Sequence, residues 1–80
     1  MQGRRRATNT RPWNLRPGEY MLRGGFVWVC LPSGVGPCRL KGWEHVEHED
    51  GTITVSPSIL DSGTQNGWHG FLERGVWREC

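Results

Sequence analysis

Cys30, Cys38, His69 and Cys80 carry the sharpest chemical reading in this 80-residue chain. Three thiols and an imidazole form the tetrahedral set that a structural zinc ion takes. The CxxC knuckle that usually starts such a site is missing, because seven residues separate Cys30 from Cys38. The competing reading makes Cys30 a small buried hydrophobe on a strand, His69 a hydrogen-bonded hairpin residue and Cys80 a chain end. Zinc is the one cofactor these residues suggest. Three cysteines cannot all pair, so a closed disulfide framework is not expected.

Acid–base chemistry has a second candidate set, His45 and His48 among Glu44, Glu47 and Glu49. On a strand, however, side chains alternate between faces, so His45 and His48 point to opposite sides and do not converge on one substrate. Ser56 and Ser58 flank Pro57, where hydroxyls bond local backbone. Gly24-Gly25 and Gly34-Val35-Gly36 are too short to cradle a phosphate and read as turns. The expectation is a protein that is not an enzyme.

Binding has a clearer candidate. Arg4, Arg5, Arg6, Arg11 and Arg16 surround Trp13. Guanidinium groups with one stacking ring suit phosphates and a base. They suit an acidic protein groove equally well, with Trp13 as the anchor. A solvated tail is the third reading. Residues 1–23 hold six arginines against the single acid Glu19, whereas residues 24–80 hold four basic residues against seven acids. The chain therefore reads as a basic arm on a slightly acidic body.

The elements that must position these residues are short. Hydrophobic content is 35% with 12 glycines, which favours turns over long helices. Five tryptophans supply the burial that so short a chain otherwise lacks. Trp43–Val55 reads as the organising hairpin, closed by a two-residue turn at Asp50-Gly51. That register sets Val46 opposite Val55, His48 opposite Ile53 and Glu47 opposite Thr54. Valines and isoleucine would then face the core and the carboxylates water. Tyr20–Leu31 predicts a second hairpin turning at Gly24-Gly25, with Leu22 opposite Val27 and Phe26–Leu31 a strand covered on both faces. Cys38–Leu40 predicts a short edge strand. Beyond Pro57, Ile59 and Leu60 are expected to leave the sheet and fold back as a plug, before a polar loop at 61–67. Trp68–Glu79 predicts a third hairpin at Arg74-Gly75, with a two- or a three-residue loop. Trp43 falls on the outer parity of its strand, to pack on a neighbour or to serve an interface.

The fold class is thus all-β, a small antiparallel meander of three hairpins in a sandwich or SH3-like barrel. Residues 1–19 form a flexible, extended basic arm and residues 20–80 a single β domain. No apolar stretch follows Arg4–Arg6, so no leader is expected, and no run is long enough to span a membrane.

The blocks HEDGTITVSPSIL (His48–Leu60) and WHGFLERGVWREC (Trp68–Cys80) resemble a family of small proteins found in phages of actinobacteria and in their hosts. That family shares an acidic Asp-Gly hairpin, a Pro-Ser-Ile step and a WHGYL-type hairpin near the C-terminus. Its wider members carry further cysteines, near the first strand and just before the WHG block, that suggest a zinc site. Here Asn66 and Gly67 occupy the second of those places. The resemblance implies phage or prophage origin and no agreed activity. The expected role is a protein-binding or assembly module: a virion component contacting neighbouring subunits through the arm. An inhibitor of a host or defence protein, and a zinc-stabilised or nucleic-acid-binding module, are the alternatives. The expected setting is the host cytoplasm, with incorporation into the virion.

Overall fold

The computed structural model describes residues 1–60 and 67–80. Their strands are β1 (Arg4–Arg5), β2 (Glu19–Arg23), β3 (Phe26–Val29), β4 (Cys38–Arg39), β5 (Glu44–Glu47), β6 (Ile53–Leu60), β7 (His69–Glu73) and β8 (Val76–Glu79), with a 3-10 turn at Pro12–Asn14. They build two four-stranded sheets in sequence order, β1-β2-β3-β4 and β5-β6-β7-β8. Only β1 with β2 is a parallel pair. The sheets share one core and do not close into a barrel. The all-β, hairpin-based class is therefore the one the sequence predicts.

Period-two alternation explains the first sheet. Tyr20 pairs with Val29, Met21 with Trp28 and Leu22 with Val27, the expected register. Tyr20, Val27, Val29 and Leu31 enter the core between the sheets, together with Ile53, Val55, Ile59, Trp68, Leu72 and Trp77 from the second half. Met21, Trp28 and Cys30 point the other way and meet Leu15. The segment after the 3-10 turn thus caps the outer face of β2 and β3. Both faces of β3 are covered, as a continuous apolar run requires. β4 pairs with β3 as the expected short edge strand.

The organising hairpin forms, but its register differs by one residue. Glu47 pairs with Ile53, Val46 with Thr54 and His45 with Val55. The cause lies in the turn. A two-residue turn of the type that suits hairpins needs positive φ at both central residues. Gly51 has φ 85°, while Asp50 is not in that region. The loop instead has three residues, Glu49–Gly51: Gly51 N–H donates to His48 C=O at 3.0 Å, and His48 N–H to Thr52 C=O at 2.8 Å. Asp50 Oδ1 accepts from the Thr52 N–H and hydroxyl, which holds the loop. Val46 consequently points to solvent, 58% exposed, where an inward valine was expected. The slip costs little because β5 is an edge strand and all four of its residues are exposed. Glu47 remains in water on either parity. Ile53 and Val55 stay buried as expected.

β6 corrects a second expectation. It does not leave the sheet at Pro57 but runs on to Leu60, with its pairing to β7 shifted between Val55 and Ile59. Pro57 has no N–H to give a ladder, which fits an irregularity there. Ile59 is buried, as a plug would be, while Leu60 is exposed. All but Gly67 of the expected polar loop lies outside the described residues. The third hairpin takes the two-residue loop: Glu73 pairs with Val76 and Leu72 with Trp77. Arg74 and Gly75 both have positive φ, 46° and 76°. In the WHG block, a Cβ on Gly70 would stand 2.6 Å from the Trp68 ring, so glycine lets that ring lie on the strand. Trp68 in turn meets Trp77 edge to face, with centroids 5.4 Å apart.

Residues 1–6, expected within a free arm, are hydrogen-bonded to both sheets. Met1 and Trp77 exchange backbone bonds, with Met1 N to Trp77 O at 3.1 Å and Trp77 N to Met1 O at 2.8 Å. Gly3 N–H donates to Gly75 C=O at 2.7 Å. The same strand then reaches β2, with Arg4 N–H on Gly18 C=O at 3.2 Å and Arg6 N–H on Tyr20 C=O at 2.8 Å. Trp77 Nε1–H donates to Gly18 C=O at 2.8 Å beneath this crossing.

The registers have a direct check. Leu72→Ala should lower unfolding free energy by about 2–5 kcal/mol, as fully buried leucines do. Val46→Ala should stay within about 0.5 kcal/mol, as exposed positions do. Urea denaturation of both variants measures this, and a costly Val46→Ala would restore the inward register.

Candidate partner-binding surface

The arginines of the candidate set divide into two groups. Arg6 donates to Glu19 Oε1 at 2.9 Å, and Arg4 lies 4.0 Å from Glu19 Oε2. Arg5 reaches across to the second sheet, donating to Glu47 Oε1 at 2.5 Å and to Gly51 C=O at 2.8 Å. Arg5 and Arg6 thus find their acids within the chain, while the Arg4 side chain stays 77% exposed. Glu19 is the centre of that arrangement, 6% exposed and also accepting the Arg16 N–H at 2.8 Å.

Glu19 was not among the candidate residues, although a sequence signal pointed to it. It is the one acid among the first 23 residues, set amid six arginines. Burial works to raise its pKa. The Arg16 N–H, the Arg6 hydrogen bond and the charges of Arg6 and Arg4 outweigh that, so the carboxyl titrates below its ordinary 4.5.

The second group stays outward. Arg11, Trp13 and the Arg16 side chain are exposed, Trp13 to 65%. Trp13 sits in the 3-10 turn between two buried anchors, Pro12 and Leu15. Asn14 N–H on Arg11 C=O at 2.9 Å and Leu15 N–H on Pro12 C=O at 3.1 Å close the turn. Proline early in the turn fixes its entry, since the missing N–H is one that would go unused. The Arg11 guanidinium lies 5.6 Å from the Trp13 ring centroid, a cation–π distance. The other four tryptophans are buried or partly buried. Trp43 packs against the main core and donates from Nε1 to Ser58 C=O at 3.2 Å; the register shift that turns Val46 outward turns Trp43 to the core side.

The candidate zinc ligands are split. Cys30 and Cys38 belong to the first sheet region, while His69 and Cys80 lie on the second. Among the described residues, no three His, Cys, Asp or Glu side chains are grouped as a metal ion would need. Cys30 packs with Leu15 and Met21. Burial holds its thiol above the ordinary 9.0, and the charges of Cys38 and Glu19 add to that. A thiol kept protonated is a poor nucleophile and a poor ligand. Cys38 Sγ contacts the Val35 carbonyl at 3.8 Å.

His48 Nε2 and Thr54 Oγ1 are 2.6 Å apart, while His45 is exposed on the opposite side of β5. His69 Nε2 meets Ser58 Oγ at 3.0 Å. Among the described residues, no carboxylate bonds His69.

Linkage at Glu19 gives an acid-range prediction. Its folded pKa lies below its unfolded one, so its contribution is complete above about pH 4.5 and lost as pH falls through the folded value. Urea midpoints should therefore show a gap between the wild-type chain and Glu19→Gln at pH 7 that narrows in acid. The acid dependence left in Glu19→Gln should shrink further in Glu19→Gln/Asp50→Asn. Asp50 is also held low, by the Thr52 hydroxyl and N–H that bond it.

Compared with protein-family models, with curated proteins and with solved structures, the chain finds no match.

Proposed function

We propose that this domain is a non-catalytic module that binds another protein, with Trp13 and Arg11 at the contact and Arg4 and Arg16 as outlying charges. A phage particle or its host is the setting, and assembly the role. One observation carries the reading: a chain short of apolar burial leaves its Trp13 65% exposed beside an arginine. Trp and Arg are the residues that dominate binding energy at protein interfaces. The anchored turn presents the ring with little ordering left to do, which reduces the entropic cost of contact. The acids that answer Arg5 and Arg6 within the chain leave fewer positive charges for phosphate, which favours a protein over nucleic acid.

A photo-crosslinker tests this. Trp13→p-benzoylphenylalanine, illuminated in producing cells and in purified particles, should give one dominant protein adduct. The same analogue at the exposed Arg23 should not give it, and Arg11→Ala should weaken it. A particle subunit as the captured protein supports assembly, and a host protein supports inhibition. A nucleic-acid adduct, or none, overturns the proposal.

A further inference from the structure

The seat of residues 1–6 is a binding site in its own right. Its floor is backbone: the carbonyls of Gly75, Gly18 and Tyr20 each accept an N–H from the strand, and Trp77 exchanges two bonds with Met1. Its selectivity is steric and electrostatic. A Cβ on Gly3 would stand 2.6 Å from Gly75 O and 3.0 Å from Trp77 Nε1, so glycine alone fits there. Glu47 takes the next arginine but one and Glu19 the one after, giving a seat for an extended small–basic–basic–basic segment.

We propose that this seat also accepts residues 1–6 of a second copy of the chain, so that two copies exchange arms reciprocally. The occupant follows from the fit, because every contact of the seated arm is reproduced when an identical arm comes from elsewhere. The conformational change is confined to the hinge. Residues 7–11 are mostly exposed. Besides the Arg11 carbonyl used in the 3-10 turn, they are held by the Thr10 N–H on Ala7 C=O at 2.9 Å and the Thr8 hydroxyl on Leu22 C=O at 2.5 Å. Pro12 and Leu15 fix the far side of the hinge to the body. Five residues extended reach about 17 Å, against a smallest domain extent of 23 Å. An arm that short reaches a second seat only when the two seats face each other, and a two-fold arrangement meets that condition for both arms at once. The product is a closed dimer, not an open chain. This inference does not use Trp13, and either proposal stands without the other.

A charge exchange in the full chain tests it. Arg5→Glu leaves two carboxylates facing in a closed monomer, and Glu47→Arg leaves two guanidinium groups. Mixed, the two variants satisfy both seats only by exchanging arms. The carboxylate placed at position 5 of one variant then meets the guanidinium placed at position 47 of the other, and the second seat pairs the native Arg5 with the native Glu47. Equal amounts should form a dimer of twice the 9.1 kDa chain mass. Light scattering should find at least a tenfold excess of dimer over either variant alone, and native mass spectrometry should show one of each chain. Adding Gly3→Val to both variants should abolish it. A mixture that stays monomeric overturns the proposal, as does dimer that forms equally from one variant or survives Gly3→Val.

Discussion

Backbone pairing along Met1–Arg6 is the constraint on which the relation of the two sheets depends. Strand edges leave N–H and C=O groups that must find partners. One short segment meets this demand at two edges, β8 and its turn through Met1 and Gly3, and β2 and the residue before it through Arg6 and Arg4. The buried Trp77 indole, bonded to Gly18, lies under the crossing and adds apolar burial to the same join. The main core then draws on both sheets as one body.

Electrostatics reinforce that join unequally. The Arg5–Glu47 pair is partly exposed, and pairs of that kind contribute about 0–1 kcal/mol. Glu19 is another matter, because its carboxylate is buried. Removing Arg6 would leave it short of a partner, which is costlier than losing a surface pair. The uneven charge along the chain has an internal use: the arginines at its start neutralise acids of β2 and β5.

Local patterning made most of the strands legible. Alternation in Tyr20–Leu31 gave both the register and the two-faced burial of β3, since its residues divide cleanly between the main core and the outer cap. At Glu44–Glu47 that contrast is missing, and the Asp50-Gly51 step fits a three-residue loop as readily as a two-residue one. Turn chemistry alone could not separate them, and the parity of Val46 came out reversed. Residues 1–6 were unreadable for a different reason. Their partners, such as Trp77 for Met1 and Glu47 for Arg5, lie 76 and 42 positions away, beyond any window of local composition. The exposed Trp13 could be named as a contact residue from its type, but its anchoring by Pro12 and Leu15 needed the fold.

The sandwich resembles a book with its spine at Gly3. β4 and β5 each end a sheet, with no strand between them among the described residues. A short stretch of chain joins these two strands, and Trp43 at its end packs on the shared core and donates its indole N–H to Ser58 of β6, which seats the stretch on the second sheet. Leu40 and Trp43, at the two ends of that stretch, both pack into the core, so the link between the leaves is itself fastened by apolar burial.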